Sequence, residues 1–83
     1  MNCLIENIDR LHTTELGIER VKRNLQIQTN DVVAWCMGRI LDQDAKIERS
    51  GKNWYVTVDD CKITVNANSY TIITAHSIPK GSI

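Results

Sequence analysis

Phenylalanine is absent from the chain, proline occurs once, and the four glycines stand apart at positions 17, 38, 51 and 81. That excludes a collagen-like or Pro/Gly-rich disordered chain, and also a Gly-rich phosphate loop, which needs several glycines within one turn. Cysteines number three, at positions 3, 36 and 61, with no C-x-x-C spacing, and there are two histidines, His12 and His76. So few ligands, so placed, argue against a structural zinc site; no metal and no cofactor is expected. The odd cysteine count reads as reduced thiols of a cytoplasmic protein. No apolar run approaches the eighteen or so residues of a membrane span. Glu6 follows Met1–Ile5 too soon for a signal peptide. Neither sign of charge is in surplus, with ten Lys and Arg against ten Asp and Glu. A polycation that binds nucleic acid through bulk charge is thereby excluded.

What is present is an ordinary globular composition over 83 residues, enough for one small domain. The domain is read over residues 1–76, with a mobile tail over 77–83 that contains Pro79 and Gly81. Its first half has helical periodicity. Leu4, Ile5, Ile8 and Leu11 form a stripe over residues 3–11. Thr13 and Thr14 ahead of Glu15 mark a helix start, and Ile18, Val21 and Leu25 share one face of a helix over 14–25. Gly17 inside it costs about 1 kcal/mol relative to alanine, unless another backbone approaches there. Thr29 or Asn30 is placed to cap a third helix, with Asp31 near its N-terminal dipole. Its stripe is Val33, Cys36, Met37, Ile40 and Leu41. Trp35 and Arg39 fall off that stripe.

From residue 45 the period changes to two. Trp54, Val56 and Val58 alternate with Tyr55, Thr57 and Asp59, and Cys61, Ile63 and Val65 with Lys62, Thr64 and Asn66. Ser50-Gly51, Asp59-Asp60 and Asn66-Ala67-Asn68-Ser69 are turns. The connections are too short for parallel crossovers, so the strands form an antiparallel meander. The fold class is therefore α+β, about three N-terminal helices packed on one face of a four-stranded antiparallel sheet. The helices are expected on the Trp54/Val56/Val58/Ile63/Val65 face, with Tyr55 and Thr64 facing outward. On the last strand Ile73 and Ala75 are assigned to the core, which leaves Tyr70, Thr74 and His76 on the polar face. On this reading a charge at Thr64 should be nearly silent.

Two histidines can divide the acid and base roles of a metal-independent ribonuclease, because imidazole titrates near neutral pH. His12 and His76 are the candidate pair, with Thr74 and Tyr70 beside them. Arg20, Arg23, Tyr55, Lys62 and Asn66 are candidate substrate contacts. Such a pair needs imidazoles about 5–9 Å apart, since both must touch oxygens of one phosphodiester.

Three segments carry a family resemblance. They are Leu11-His12-Thr13-Thr14-Glu15-Leu16-Gly17, then Gly51-Lys52-Asn53-Trp54-Tyr55-Val56, then Ile63-Thr64-Val65-Asn66 running on to Ser69-Tyr70-Thr71-Ile72-Ile73-Thr74-Ala75-His76. Together they resemble a family of short bacterial proteins known only as a domain of unknown function. More remotely, helices ahead of an antiparallel sheet with a final Ile-Thr-Ala are similar to the barnase/EndoU/colicin/RelE-like group of small RNase toxins. That likeness implies an active site on the open sheet face and RNA as substrate. On the toxin reading the protein partner is an antitoxin or a target; the competing reading is a non-enzymatic module that binds protein or single-stranded RNA, for example an inhibitor of a host or phage factor. It would use the same face or the surface around Trp35.

Overall fold

The computed structural model describes residues 3–78; Met1, Asn2 and residues 79–83, most of the expected tail, lie outside them. Three helices precede four strands. The first stripe does not make one helix: α1 covers Cys3–Glu6, and a 3-10 turn follows at Ile8–Arg10. Leu4 in α1 and Leu11, which follows the turn, are nevertheless buried. Helix α2 runs over Glu15–Leu25, and its N-cap is Thr14, whose hydroxyl accepts from the Gly17 N–H at 3.1 Å. Helix α3 runs over Val32–Ile40. Its cap is Asp31, whose carboxylate accepts from the Ala34 N–H at 2.9 Å, rather than Thr29 or Asn30. Thr29 supports that cap one step back, accepting from the Asp31 N–H. The buried face of α3 is Val32, Cys36 and Ile40, rotated from the expected stripe. Leu41 stands exposed because the helix ends one residue before it.

The sheet is an antiparallel meander in the order β1-β2-β3-β4, formed by Lys46–Ser50, Asn53–Val58, Cys61–Asn66 and Ile72–Ser77. Trp54, Val56, Val58, Cys61, Ile63 and Val65 are all buried on the helix-bearing face. The last strand departs from simple alternation. Val65 pairs with Ile72 and Thr64 with Thr74, so Ile73 is an inserted residue, a β-bulge. The bulge shifts the parity, and both Ile72 and Ala75 enter the core while Ile73 is only half-buried. Strand β4 also continues through Ser77, and the Ile78 N–H donates to the Asp60 carbonyl at 2.7 Å.

Helix α2 packs most closely against β4. At their contact a Cβ on Gly17 would meet the Ile72 carbonyl oxygen at 3.1 Å and collide with the Thr13 hydroxyl. Thr13 itself donates to that same carbonyl at 2.9 Å. The glycine therefore leaves room for the Thr13 hydroxyl and the Ile72 carbonyl that it bonds, and its helix-propensity cost is offset by that contact.

Three outcomes follow for stability. Gly17→Ala should lower the unfolding free energy, measured by urea denaturation, by roughly 1–3 kcal/mol in spite of a better helix former, because overpacking against the Thr13 hydroxyl and the Ile72 carbonyl exceeds a gain of about 1 kcal/mol. Thr64 lies on the outward face but is only 8% exposed, covered by its cross-strand neighbours Tyr55 and Thr74. A charge there is not silent: Thr64→Asp should cost on the order of 1–3 kcal/mol by the same measurement, and Val56→Asp should abolish the cooperative transition.

Candidate functional site

The face of the sheet turned away from the core carries its side chains in cross-strand rows. Register aligns Lys46, Thr57, Lys62 and His76 across all four strands. The next row is Glu48, Tyr55, Thr64 and Thr74, and beyond it come Ser50, Asn53 and Asn66. The first row holds three groups that are or can become cationic. The Lys62 ammonium reaches diagonally to lie 5.1 Å from the centre of the Tyr55 ring. The Tyr55 hydroxyl is 3.4 Å from the Asn53 amide nitrogen, which donates to it. Glu48, Arg49, Ser50, Tyr55 and Lys62 line a shallow concavity of about 490 Å³. An aromatic ring, two lysines, a histidine and amide side chains on one exposed sheet can hold an anion and stack a planar group. Lys46, Glu48 and Ser50 were not singled out from sequence, because β1 has one apolar residue, Ile47, and no strong alternation to place them.

His12 lies elsewhere. Its backbone joins the outer edge of β4 as a parallel bridge to Thr71, its N–H donating to the Tyr70 carbonyl at 3.1 Å and its carbonyl accepting from the Ile72 N–H at 2.7 Å. Its ring is held on both sides. Nδ1 is 2.9 Å from the Arg10 carbonyl, which can only accept, so this nitrogen carries the proton. Nε2 is 3.0 Å from the Thr71 hydroxyl, which is 2.7 Å from the Ser69 hydroxyl. His76 stands five positions beyond Thr71 on the strand, a run of about 16 Å. Residues of matching face can still lie at opposite ends of one strand, and here the anchored ring of His12 cannot reach towards His76. The two imidazoles are not brought together.

The remaining candidates divide. Tyr70 is a correction: it is buried, with its ring 5.2 Å from that of Trp54 and the Arg10 guanidinium 4.5 Å above it. It precedes the strand and has φ +59°, so strand alternation does not set its direction. Thr74 accepts from the Asn24 amide at 3.3 Å, beside His76 in sequence but tied to α2. Arg20 and Arg23 are exposed on α2 rather than on the sheet. Asn66 organises a turn: its carbonyl oxygen accepts from the Asn68 and Ser69 N–H groups and from the Ser69 hydroxyl. Trp35 is half-buried with the Arg39 guanidinium 4.9 Å over its ring, and Arg39 also holds Asp59 at 3.0 Å. Of the predicted residues the sheet gathers Tyr55, Lys62, Thr74, His76 and Asn66 on one face, with Thr74 tied to α2 and Asn66 to its turn.

Among the described residues no three His, Cys, Asp or Glu side chains converge as a metal site. Cys36 and Cys61 are free and buried. Burial, and then the neighbouring Cys61, push the Cys36 thiol up to about 12. Burial is also the main cause raising Cys61. In a Cys3→Ser variant at pH 8, a thiol reagent should therefore label neither residue until the protein is unfolded. The unfolded Cys36 thiol ionises near its ordinary value of 9 while the native one stays protonated to about 12. The native state then binds more protons over that interval, and stability should fall as pH rises through it.

No helix among the described residues is long and apolar enough to cross a membrane. No curated protein and no solved structure matches the chain. One family model does, described as "Protein of unknown function (DUF3781)", and it spans residues 5–76, from the middle of α1 to His76 on β4. Since that span takes in α2, α3 and nearly the whole sheet, the chain belongs to the DUF3781 family.

Proposed function

We propose that this protein is a non-catalytic module that binds single-stranded RNA on the open face of its sheet. The observation that carries the reading is the Lys46–Thr57–Lys62–His76 row, with Tyr55 beside it under the Lys62 ammonium. Zero net charge does not oppose it, because affinity for a phosphate chain depends on the charges that line its path. The row crosses four strands, about 14 Å at the usual strand spacing. A base stacks on the Tyr55 ring as the flexible Lys62 stem swings from the ring to a phosphate. Lys46 and His76 flank that phosphate, and Asn53 and Ser50 offer hydrogen bonds to base edges. The separation of His12 from His76 weighs against cleavage by that pair. The arginine seated on Trp35 weighs against a protein-docking site centred on that residue.

Fluorescence anisotropy with a labelled mixed-sequence single-stranded RNA at low salt tests the proposal. Tyr55→Ala should weaken binding roughly 5- to 150-fold, as expected for loss of one stacked base. Lys62→Ala should also weaken it and lower the salt slope by about 1. His12→Ala should leave affinity unchanged, and the RNA should remain intact on a gel. Absence of binding, or binding indifferent to Tyr55 and Lys62, overturns the proposal. Cleavage that His76→Ala abolishes would restore the ribonuclease reading.

A further inference from the structure

The two edges of the sheet are treated differently by the fold. The outer edge of the last strand is bridged at its start by His12, at Thr71, and α2 packs against β4. Among the described residues the outer edge of β1 has no such bridge: Lys46, Glu48, Arg49 and Ser50 are exposed and Ile47 is half-buried. Which backbone groups point outward follows from the ladder. Ser50 and Asn53 flank a two-residue turn with φ +60° at Gly51, so they form a hydrogen-bonded pair. Alternation then directs Glu48 and Lys46 towards β2. The opposite side of β2 agrees, since the Lys52 carbonyl accepts from the Ala67 N–H on the β3 side at 2.8 Å. Ile47 and Arg49 therefore aim their N–H and C=O groups at the free edge.

From this we infer that β1 pairs antiparallel with β1 of a second copy of the chain, in the register that sets Ile47 opposite Ile47. The charges select both occupant and register. With Ile47 on the two-fold axis, Lys46 faces the partner's Glu48 and Glu48 faces the partner's Lys46, giving two ion pairs on the open face. The register centred on Glu48 sets carboxylate against carboxylate. That centred on Lys46 sets ammonium against ammonium and Glu48 against the partner's Asp44. That centred on Arg49 sets guanidinium against guanidinium. Like charges opposite one another destabilise a ladder, so each neighbouring register is disfavoured. Charged edges commonly repel strand addition; here the alternation of sign makes the edge complementary to itself.

The backbone accounting closes as well. Each Ile47 N–H donates to the partner's Ile47 carbonyl, and each Arg49 N–H to the partner's Ala45 carbonyl. The ladder stops there, because the Ala45 N–H already donates to the Asp42 carbonyl at 3.0 Å. The Arg49 side chain does not obstruct the approach. It folds back on its own chain, with Nε donating to the Gly51 carbonyl at 3.1 Å and the guanidinium 5.6 Å over the Trp54 ring. The product is an eight-stranded sheet whose open faces are continuous.

Sedimentation equilibrium of the full chain, without nucleic acid, from micromolar to millimolar concentration tests the inference independently of RNA binding. A monomer–dimer equilibrium is expected. Lys46→Glu and Glu48→Lys should each weaken it roughly tenfold or more, because two attractive pairs become two repulsive ones, and the double variant should recover it to within about threefold. All of these changes are on exposed positions, and circular dichroism should show the fold retained. Amide exchange supplies a second reading: Ile47 and Arg49 should gain protection as concentration rises, while Lys46 and Glu48 are protected throughout. A monomer at every concentration overturns the inference. So does a dimer indifferent to the single charge reversals, or one in which the Ile47 amide exchanges as in the monomer.

Discussion

A strand at the end of a sheet leaves a row of backbone groups that must find partners. In this protein the outer edge of β4 finds them in the segment just ahead of α2. The Ile72 N–H donates to the His12 carbonyl, the Ile72 carbonyl accepts from Thr13, and the Ile72 side chain is buried in the core. One residue is thus held in three directions by neighbours that lie sixty positions away in the chain. The absence of a side chain at Gly17 lets the helix come near enough for that arrangement. The docking of α2 then fixes where Val21 lies in the core and where Asn24 meets Thr74. His12 contributes to this same contact through its backbone and its ring, a role in which an imidazole is a structural clasp.

The other face of the sheet is shaped by what the helices leave uncovered. Strand alternation that buries Val56 and Ile63 necessarily presents Thr57 and Lys62 on the opposite side. Cross-strand register then lines those residues up with Lys46 and His76. A chain without net charge acquires in this way a local band of positive groups. Asp59, at the end of the same hairpin, is engaged by Arg39 on the helical side.

Much of this was legible from sequence where local rules decide. The period-two runs of β2 and β3 gave their core-facing residues correctly, because two tight turns leave no freedom of register, although Thr64 on the other face is buried as well. Thr14 was a readable cap for α2, whereas the isolated Gly17 fitted a close approach and simple tolerance equally. Cys36 was recognisable as inert from its place among apolar residues. Legibility ended where geometry is not periodic. The bulge at Ile73 reverses the parity of β4, and nothing in Tyr70-Thr71-Ile72-Ile73-Thr74 signals which residue is the extra one. The left-handed backbone at Tyr70 turned an expected polar-face residue into a core one. Asp31 displaced Thr29 and Asn30 as the cap, one or two positions further on. For the histidines, alternation correctly gave the face of His76 but carries no information on distance along the strand. The pairing of His12 with Thr71 is a contact across 59 positions, invisible to any local pattern.

The clasp around Ile72 also bears on the order in which the molecule can assemble during synthesis. Helix α2 is complete by residue 25, yet the strand it rests on begins at residue 72. While a ribosome works through the intervening residues, Val21 and its neighbours have no last strand to dock on, and the Gly17 face has no carbonyl to approach. The hairpin of β2 and β3 can close from local pairing, and α3 can rest on β2, but α2 cannot take its place on the sheet until β4 has emerged from the exit tunnel. Contacts of such high sequence separation form late and slowly. The nascent protein therefore passes through a period in which a formed hairpin coexists with an unprotected apolar helix face, the interval in which it depends most on whatever shields growing chains from one another.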